Sequence, residues 1–169
     1  LFLWKTVEEN VMLGLTIKGI SKTEARRQAK KLLKKFGLAR FSNHYPSTIS
    51  GGMAQRIALL RTVLFNNSFL LMDEPFGALD ALTRLSLQTW LLNILTQFRA
   101  TVLFITHDIQ EAIFLSERIY VLSPRPAKVV KEIKIPLPRP RRRAHLRSKK
   151  AQEIIRQLEK ILLGGLYES

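Results

Sequence analysis

The sequence predicts an α/β domain built around a parallel sheet. Helical and strand patterns alternate along the 169 residues, which is typical of strand–helix–strand units. Two short, continuous apolar runs, residues 69–72 and 101–105, have the length and composition of strands buried on both faces. Acidic side chains follow the first run directly, at the end of a strand where open α/β sheets bind their ligands.

Two helices are predicted in the first third of the chain. The first covers residues 6–15 and carries two glutamates in its first turn, where the helix dipole favours a carboxylate. The second is amphipathic and strongly basic, covers residues 25–36 and stops at Gly37. Ser21 and Glu24 precede it with the spacing of a capping box.

Helices and strands alternate through the rest of the chain. Ser50 and Asp80 are predicted N-caps of helices that run to about Phe65 and Phe98, on either side of the first apolar strand. After the second apolar strand, the predicted elements are a short helix over 108–115, a strand over 118–122, an edge strand over 128–135, a proline-stiffened extended segment over 136–140 and a basic amphipathic helix over 144–163.

Composition excludes several classes of protein. The absence of cysteine rules out disulfide scaffolds, cysteine-ligated zinc and thiol catalysis. No apolar run approaches the ~18 residues of a membrane-spanning helix, and no signal-peptide layout opens the chain, so we expect a soluble protein. The net charge of +15 falls at the two ends of the chain, and the basic runs at 139–143 and 149–150 are expected to be solvated surface.

Four segments contain residues that are suited to ligand binding or catalysis. Ser50-Gly51-Gly52 opens a helix, where free N–H groups and the helix dipole can hold a phosphate, although this tripeptide alone is also an ordinary helix cap. Asp73 and Glu74 follow an apolar strand, where one carboxylate can hold Mg²⁺ and the other can polarise an attacking water. A solvated acidic turn is the alternative meaning of that pair.

The remaining two segments are short. Gly77 to Asp80 forms a tight turn into a helix and by itself is merely a cap. His107 stands at the end of the second strand, where an imidazole can reach a terminal phosphate. A lone histidine is more often structural or exposed, and His44 and His145 are expected to be surface residues.

In this order and spacing the segments resemble the motifs of the ATP-binding subunit of an ABC transporter. The correspondences are ISGGMAQR at 49–56 for the signature motif, LLMDEP at 70–75 for Walker B, GALD at 77–80 for the D-loop and THD at 106–108 for the switch histidine. The resemblance implies a partial ABC-type P-loop NTPase fold, with a helical subdomain and the C-terminal part of a RecA-like parallel sheet.

The resemblance also implies roles for residues. ATP and Mg²⁺ would be sandwiched between two subunits, with Asp73 at the metal and Glu74 and His107 as catalytic groups. The residues that would contact the nucleotide are Ser50, Gly51, Gly52, Gln55 and Asp80. The serine and the two glycines would act across the subunit interface, and the carboxylates and histidine within their own subunit.

Within that family, the nitrate, sulfonate and taurine importers are the most similar group. Residues 3–11 resemble the group's LPWLTVxDNV stretch, and residues 123–141 resemble its SPRPGRI…LPRPR stretch. The group implies a cytoplasmic subunit at the inner face of the membrane. Its partners would be a second ATP-binding subunit, transmembrane permease subunits and, indirectly, a substrate-binding protein.

None of the eight glycines belongs to a G-x-x-x-x-G-K-[ST] motif, so the 169 residues contain no P-loop. We therefore expect the C-terminal portion of such a subunit, inactive as an ATPase by itself. The predicted regions are a helical subdomain over about 1–48, a motif-bearing core over 49–122 and a basic strand and helix over 123–169.

Two other classes of protein stay open at this stage. One is a lobe of a non-transport ATPase of the same class, although such lobes follow long heptad coiled coils that the first 50 residues lack. The other is a basic module for nucleic acid or anionic lipid that uses residues 139–143 and 149–150, whose affinity for DNA would fall steeply with salt.

Overall fold

The computed structural model describes residues 1–65, 68–98 and 100–164. The chain forms two compact units, Leu1–Leu103 and Phe104–Ser169, and the last five residues of the predicted C-terminal region lie outside the described residues. The described helices are α1 (Val7–Ile17), α2 (Lys22–Lys35), α3 (Gly51–Phe65), α4 (Ala81–Phe98), α5 (Ile109–Leu115) and α6 (Lys149–Gly164). The described strands are β1 (Phe69–Asp73), β2 (Thr101–Ile105), β3 (Arg118–Leu122) and β4 (Val129–Lys134). None of these helices has the length and apolarity needed to span a membrane.

In the first unit, α1 packs against both α2 and α3. Val7, Val11 and Leu15 recur every four residues, and all three are buried, as expected for the apolar stripe of a helix. Thr6 accepts a hydrogen bond from the Glu9 N–H (3.3 Å), and the Glu9 carboxylate accepts one from the Thr6 N–H (2.8 Å). This capping box fixes the start of the helix and lowers the pKa of Glu9 through the Thr6 backbone bond. The prediction of a helix over residues 6–15 is confirmed.

Only one of the two hydrogen bonds of the predicted capping box of α2 forms. The Ser21 hydroxyl accepts a hydrogen bond from the Glu24 N–H (3.3 Å). The Glu24 carboxylate instead accepts bonds from the side chains of Arg27 (2.7 Å) and Gln28 (2.8 Å), because a guanidinium one turn along the helix offers two charge-assisted donors. These bonds lower the pKa of Glu24 to about 2. The predicted stop is confirmed, since Gly37 follows with a φ of 72°.

β1 and β2 form a two-stranded sheet joined through α4, the connection that parallel strands require. The prediction that both strands are buried on both faces is wrong. Leu70 and Met72 are buried, whereas Phe69 is 49% and Leu71 60% exposed, and no residue of β2 is buried. Successive side chains of a strand point to opposite faces, and in the described residues one face of β1 is covered while the other is not.

The second unit contains the antiparallel pair β3 and β4. Arg118 pairs with Lys134 and Ile119 with Ile133, and the register shifts between Val121 and Leu122. The predicted strands over 118–122 and 128–135 are confirmed. Because the two strands lie close in sequence, a short connection suffices for antiparallel pairing.

The predicted C-terminal helix begins later than expected. Residues 143–147 form a 3-10 turn, and α6 starts at Lys149, after the Ser148 hydroxyl accepts a hydrogen bond from the Ala151 N–H (3.3 Å). Ala151, Ile154 and Leu158 lie on its buried side, and α6 packs against α5. The Ser148 N-cap therefore determines where the helix starts, although the apolar pattern used for the prediction begins earlier.

The prediction that residues 139–143 are solvated surface is wrong at Arg141, which is 6% exposed. Its guanidinium donates hydrogen bonds to backbone carbonyls at the end of α5. The last carbonyls of a helix have no partners within the helix, and five donors in a planar fork match them well. The sequence therefore shows a run of positively charged residues, but it does not show which of them is buried.

Candidate functional site

The start of α3 presents exposed backbone. Ser50 caps the helix, because its hydroxyl accepts a bond from the Met53 N–H (3.4 Å) and its carbonyl one from the Ala54 N–H (2.9 Å). A Cβ built on Gly51 would meet nothing within 4 Å. The predicted cap is confirmed, and the positive end of a 15-residue helix is open to an anion here.

A strained turn carries the two predicted carboxylates. Asp73 ends β1 and Glu74 follows it, and both are exposed. Glu74 has a φ of +41° and is the only non-glycine residue with positive φ in the described ranges. A side chain in this left-handed region costs free energy, and such strain is concentrated at functional sites. The strain therefore marks Glu74 as a candidate site residue independently of the motif.

The turn after Glu74 is compact. The Gly77 N–H donates to the Glu74 carbonyl (3.1 Å). A Cβ built on Gly77 would stand 3.5 Å from the Glu74 carboxylate oxygen Oε2, so backbone lies directly beside this carboxylate. Asp80 ends the turn and caps α4, with its Oδ1 accepting from the Thr83 N–H (3.0 Å). The hydrogen bonds from the Thr83 side chain and backbone lower the pKa of Asp80, which keeps it ionised.

The start of α3 and the carboxylate turn are directly connected. The Gln55 side-chain amide Nε2 donates to the Pro75 carbonyl over 2.6 Å. A Cβ built on Gly52 would lie 2.6 Å from Thr83 Cγ2, so only glycine allows α3 to approach α4 this closely. One turn further, Arg56 Nη2 donates to Ser86 Oγ (2.8 Å). The structure thus brings seven of the eight predicted site residues together in the first unit.

The eighth, His107, lies in the second unit, and the residues on both sides of it are held to α5. Asp108 Oδ1 caps the helix by accepting from the Glu111 N–H (3.0 Å). The Thr106 hydroxyl donates to the Glu111 carboxylate (2.8 Å) and accepts from the Asp108 N–H (3.0 Å). His107 itself is exposed, and the residues on either side of it are hydrogen-bonded to the first turn of α5.

The donor set fits Mg²⁺ in part. Hard carboxylate oxygens are suitable ligands for Mg²⁺, and Asp73 and Glu74 supply them at one exposed turn. Residues 1–65, 68–98 and 100–164 contain no group of three or more acidic, histidine or cysteine side chains suited to a metal. The protein would therefore contribute one or two ligands, and phosphate oxygens and water the others, as is usual for this ion.

Thr83 and Pro75 were missed by the sequence analysis. Their contributions are a methyl group against Gly52 and a carbonyl that accepts from Gln55. Both contacts join residues at least 20 positions apart, and no local pattern predicts such pairs.

The sequence is similar to one family model and to many known proteins. Residues 1–77 match the family described as ABC transporter. The chain is 44% identical over 170 residues to the aliphatic sulfonates import ATP-binding protein SsuB of Bacillus cereus (strain ZK / E33L), covering 100% of this chain and 65% of that protein. It is 45% identical over 138 residues to the nitrate import ATP-binding protein NrtD of Synechocystis sp. (strain ATCC 27184 / PCC 6803 / Kazusa), covering 82% of this chain and 52% of that protein.

A solved structure agrees with these relatives. The dimeric structure of MJ0796, a bacterial ABC transporter cassette, superposes with a TM-score of 0.64 at 37% identity, covering 80% of this chain and 59% of that one. The chain thus spans between about half and two thirds of the length of the proteins it matches.

Proposed function

Because the chain belongs to the ABC transporter family of ATP-binding proteins, we propose that it is the signature-bearing part of a subunit that hydrolyses MgATP to drive solute import. The observation that carries this proposal is the hydrogen bond from Gln55 to the Pro75 carbonyl (2.6 Å). It joins a helix start suited to phosphate to a turn that carries an exposed, strained glutamate. The bond fixes these two elements relative to each other in one compact unit. The helix start would act on the nucleotide bound by the other subunit, and the turn on the nucleotide bound by its own.

The proposed roles follow from the chemistry of each position. ATP supplies the phosphoanhydride to be cleaved, and Mg²⁺ neutralises charge on its phosphates. Asp73 provides an oxygen ligand to the metal, and Glu74 accepts a proton from the attacking water. Exposed beside the backbone of Gly77, the Glu74 carboxylate is accessible to such a water.

The helix start and the histidine would hold the terminal phosphate. Ser50, Gly51 and Gly52 present hydroxyl and N–H groups at the positive end of α3, and in a dimer they would contact the nucleotide bound by the other subunit. Asp80, fixed as the cap of α4, and Gln55 lie behind them. His107 would donate a hydrogen bond to the terminal phosphate from its loop at the start of α5.

The transported solute is proposed from the relatives. SsuB and NrtD are import proteins for aliphatic sulfonates and nitrate, so a small anion of the nitrate, sulfonate or taurine type is the proposed cargo. The partners would be a second ATP-binding subunit, transmembrane permease subunits contacted by the helical region over residues 1 to about 45 and, indirectly, a substrate-binding protein. The subunit would lie in the cytoplasm, peripheral to the cell membrane.

A chimera tests the proposal. The part of Bacillus cereus SsuB that aligns with this chain is replaced by this chain, and the chimera is assembled with the membrane subunits of the same importer in vesicles. We expect ATP-dependent uptake of an aliphatic sulfonate. An assembled, folded chimera that supports no uptake would contradict the proposal.

Two serines provide a matched pair of variants of the chimera. Ser50→Arg fills the exposed helix start, and we expect it to abolish uptake. Ser47→Arg introduces the same side chain at an exposed position three residues earlier, and we expect it to leave uptake intact. Equal uptake by the two variants would exclude a role for the start of α3.

A further inference from the structure

Residues 139–143, here named the arginine strap, contact the last residues of α5 and the turn that follows it. Three of the four arginines in this segment are engaged with the helix or its flanking turn, through Arg139, Arg141 and Arg143. The fourth, Arg142, is exposed. The function proposed for the nucleotide-site residues makes no use of these three arginines.

Arg141 holds the C-terminal end of α5. Its Nη1 donates to the carbonyls of Ile113 (2.8 Å), Phe114 (3.2 Å) and Ser116, in the last turn of the helix, where carbonyls lack intrahelical partners. Burial, together with the charge of Arg139, lowers the pKa of Arg141 to about 10, so the side chain remains a cation at neutral pH. A buried cation kept in place by three carbonyls is a rigid anchor.

The other two arginines extend this anchor. Arg139 Nη2 donates to the Leu115 carbonyl (2.9 Å) and to the Glu117 carboxylate. The Arg143 guanidinium lies 4.2 Å from the centre of the Phe114 ring. Burial lowers the pKa of Arg143, and the charges of Asp108 and Glu111 oppose that shift. The strap therefore holds the C-terminal end of α5 through three side chains.

α5 is short and continuous with the histidine loop. Its seven residues span only about 10 Å, too short to absorb a displacement by bending. Asp108 caps it, and Thr106 is bonded to Glu111. A tilt of the C-terminal end of α5 would therefore move the loop that carries His107.

We propose that the arginine strap positions His107, with Arg141 as the positioning residue that acts through α5. The strap would set the rate of the hydrolysis step and leave the affinity for ATP nearly unchanged, because His107 is the one residue of this loop and helix to which the proposed function gives a contact with the nucleotide. This inference rests on the proposed function, and it assigns a role to the C-terminal basic segment in place of nucleic-acid binding.

The chimera described above provides the kinetic test. Arg141→Met keeps the length of the side chain and removes the donors, whereas Arg142→Met makes the same change at the exposed neighbour. We expect Arg141→Met to lower kcat about tenfold with KM for ATP within about twofold, and Arg142→Met to change neither. A wild-type kcat in folded Arg141→Met, or a loss that falls on KM alone, would overturn the proposal.

A double variant separates positioning from general destabilisation. In a His107→Ala background, we expect Arg141→Met to cause no further loss of kcat, since its effect runs through the missing imidazole. An equal loss in both backgrounds would overturn the proposal. If Arg141→Met does not fold, Arg139→Gln replaces it in the same cycle, because Arg139 is only partly buried and anchors the same helix end. The expected loss is then about threefold, and a folded Arg139→Gln with unchanged kcat would overturn the proposal.

A spectroscopic readout does not depend on hydrolysis. The NMR signal of the His107 imidazole is assigned as the one missing in His107→Ala, and His44, in the other unit, serves as the internal reference. We expect the Arg141 or Arg139 variant to shift or broaden the His107 signal and leave that of His44 in place. An unchanged His107 signal would overturn the positioning role even if the chimera hydrolysed no ATP, whereas a moved signal without hydrolysis would contradict only the proposed function.

Discussion

The side-chain amide of Gln55 donates a hydrogen bond to the backbone carbonyl of Pro75 over 2.6 Å. Gln55 lies in the second turn of α3, and Pro75 directly follows the strained Glu74. The bond spans 20 residues of sequence and ties the phosphate-suited helix start to the carboxylate turn. Displacement of either element would strain or break this bond.

We predict that Gln55→Leu in the chimera lowers the free energy of unfolding by about 1 kcal/mol, because the Pro75 carbonyl loses its donor in a partly buried setting. Urea denaturation measures the change. Gln157→Leu, at an exposed position on α6, is the matched control and should stay within about 0.5 kcal/mol of the parent. Equal stability of the two variants would show that the bond contributes nothing.

The close approach of α3 to α4 gives a second prediction. Gly52→Ala places a methyl group 2.6 Å from Thr83 Cγ2, and we expect it to cost about 1 to 3 kcal/mol of stability through overpacking. Gly51→Ala, with open space around the new Cβ, should cost far less. Thr83→Ser removes the opposing methyl group and keeps the hydroxyl, so Gly52→Ala should be largely rescued in that background. If thermal unfolding shows no rescue, the steric clash of Gly52→Ala does not involve the Thr83 methyl group.

A third prediction concerns pH. The hydrogen bonds from Arg27 and Gln28 depress the pKa of Glu24 from 4.5 in the unfolded chain to about 2. A depressed carboxyl pKa stabilises the folded state above the unfolded value, and this contribution is lost as pH falls through the folded one. The stability difference between the parent and Glu24→Gln should therefore shrink between about pH 4.5 and about pH 2. Unfolding curves collected across this range measure it.

The Arg27→Met variant checks the cause of that pH dependence. Arg27 makes the largest contribution to the depressed pKa of Glu24, so its removal should move the loss of stability to higher pH. A pH profile that Arg27→Met leaves unchanged would assign the depression to another group.

Local chemistry explains what the sequence predicted well. The caps at Ser50 and Asp80 are bonds between a side chain and the backbone three residues on, so short motifs suffice to predict them. The exposed face of β1 could not be predicted, because an apolar run does not show which layers cover a strand. Phe69 and Leu71 match the pattern of a buried strand and are exposed.

The features that could not be predicted depend on contacts between residues far apart in the sequence. Arg141 is indistinguishable from its neighbours in a basic run, yet it alone among the arginines of the strap is buried. Its burial depends on unpaired carbonyls at the end of α5, more than 20 residues earlier. The contact of Gly52 with Thr83 is similar, because the glycine was assigned to phosphate binding and its packing role became visible only with α4 in place.

The most direct measurement of the central claim is phosphate release from ATP by the purified chimera carrying Glu74→Gln, compared with Glu159→Gln at an exposed position on α6. The amide cannot accept a proton from water, so we predict that Glu74→Gln lowers kcat by about 100-fold or more and retains ATP binding, while Glu159→Gln keeps the parent rate. A Glu74→Gln rate within about twofold of the parent would contradict the assignment of Glu74 as the catalytic base.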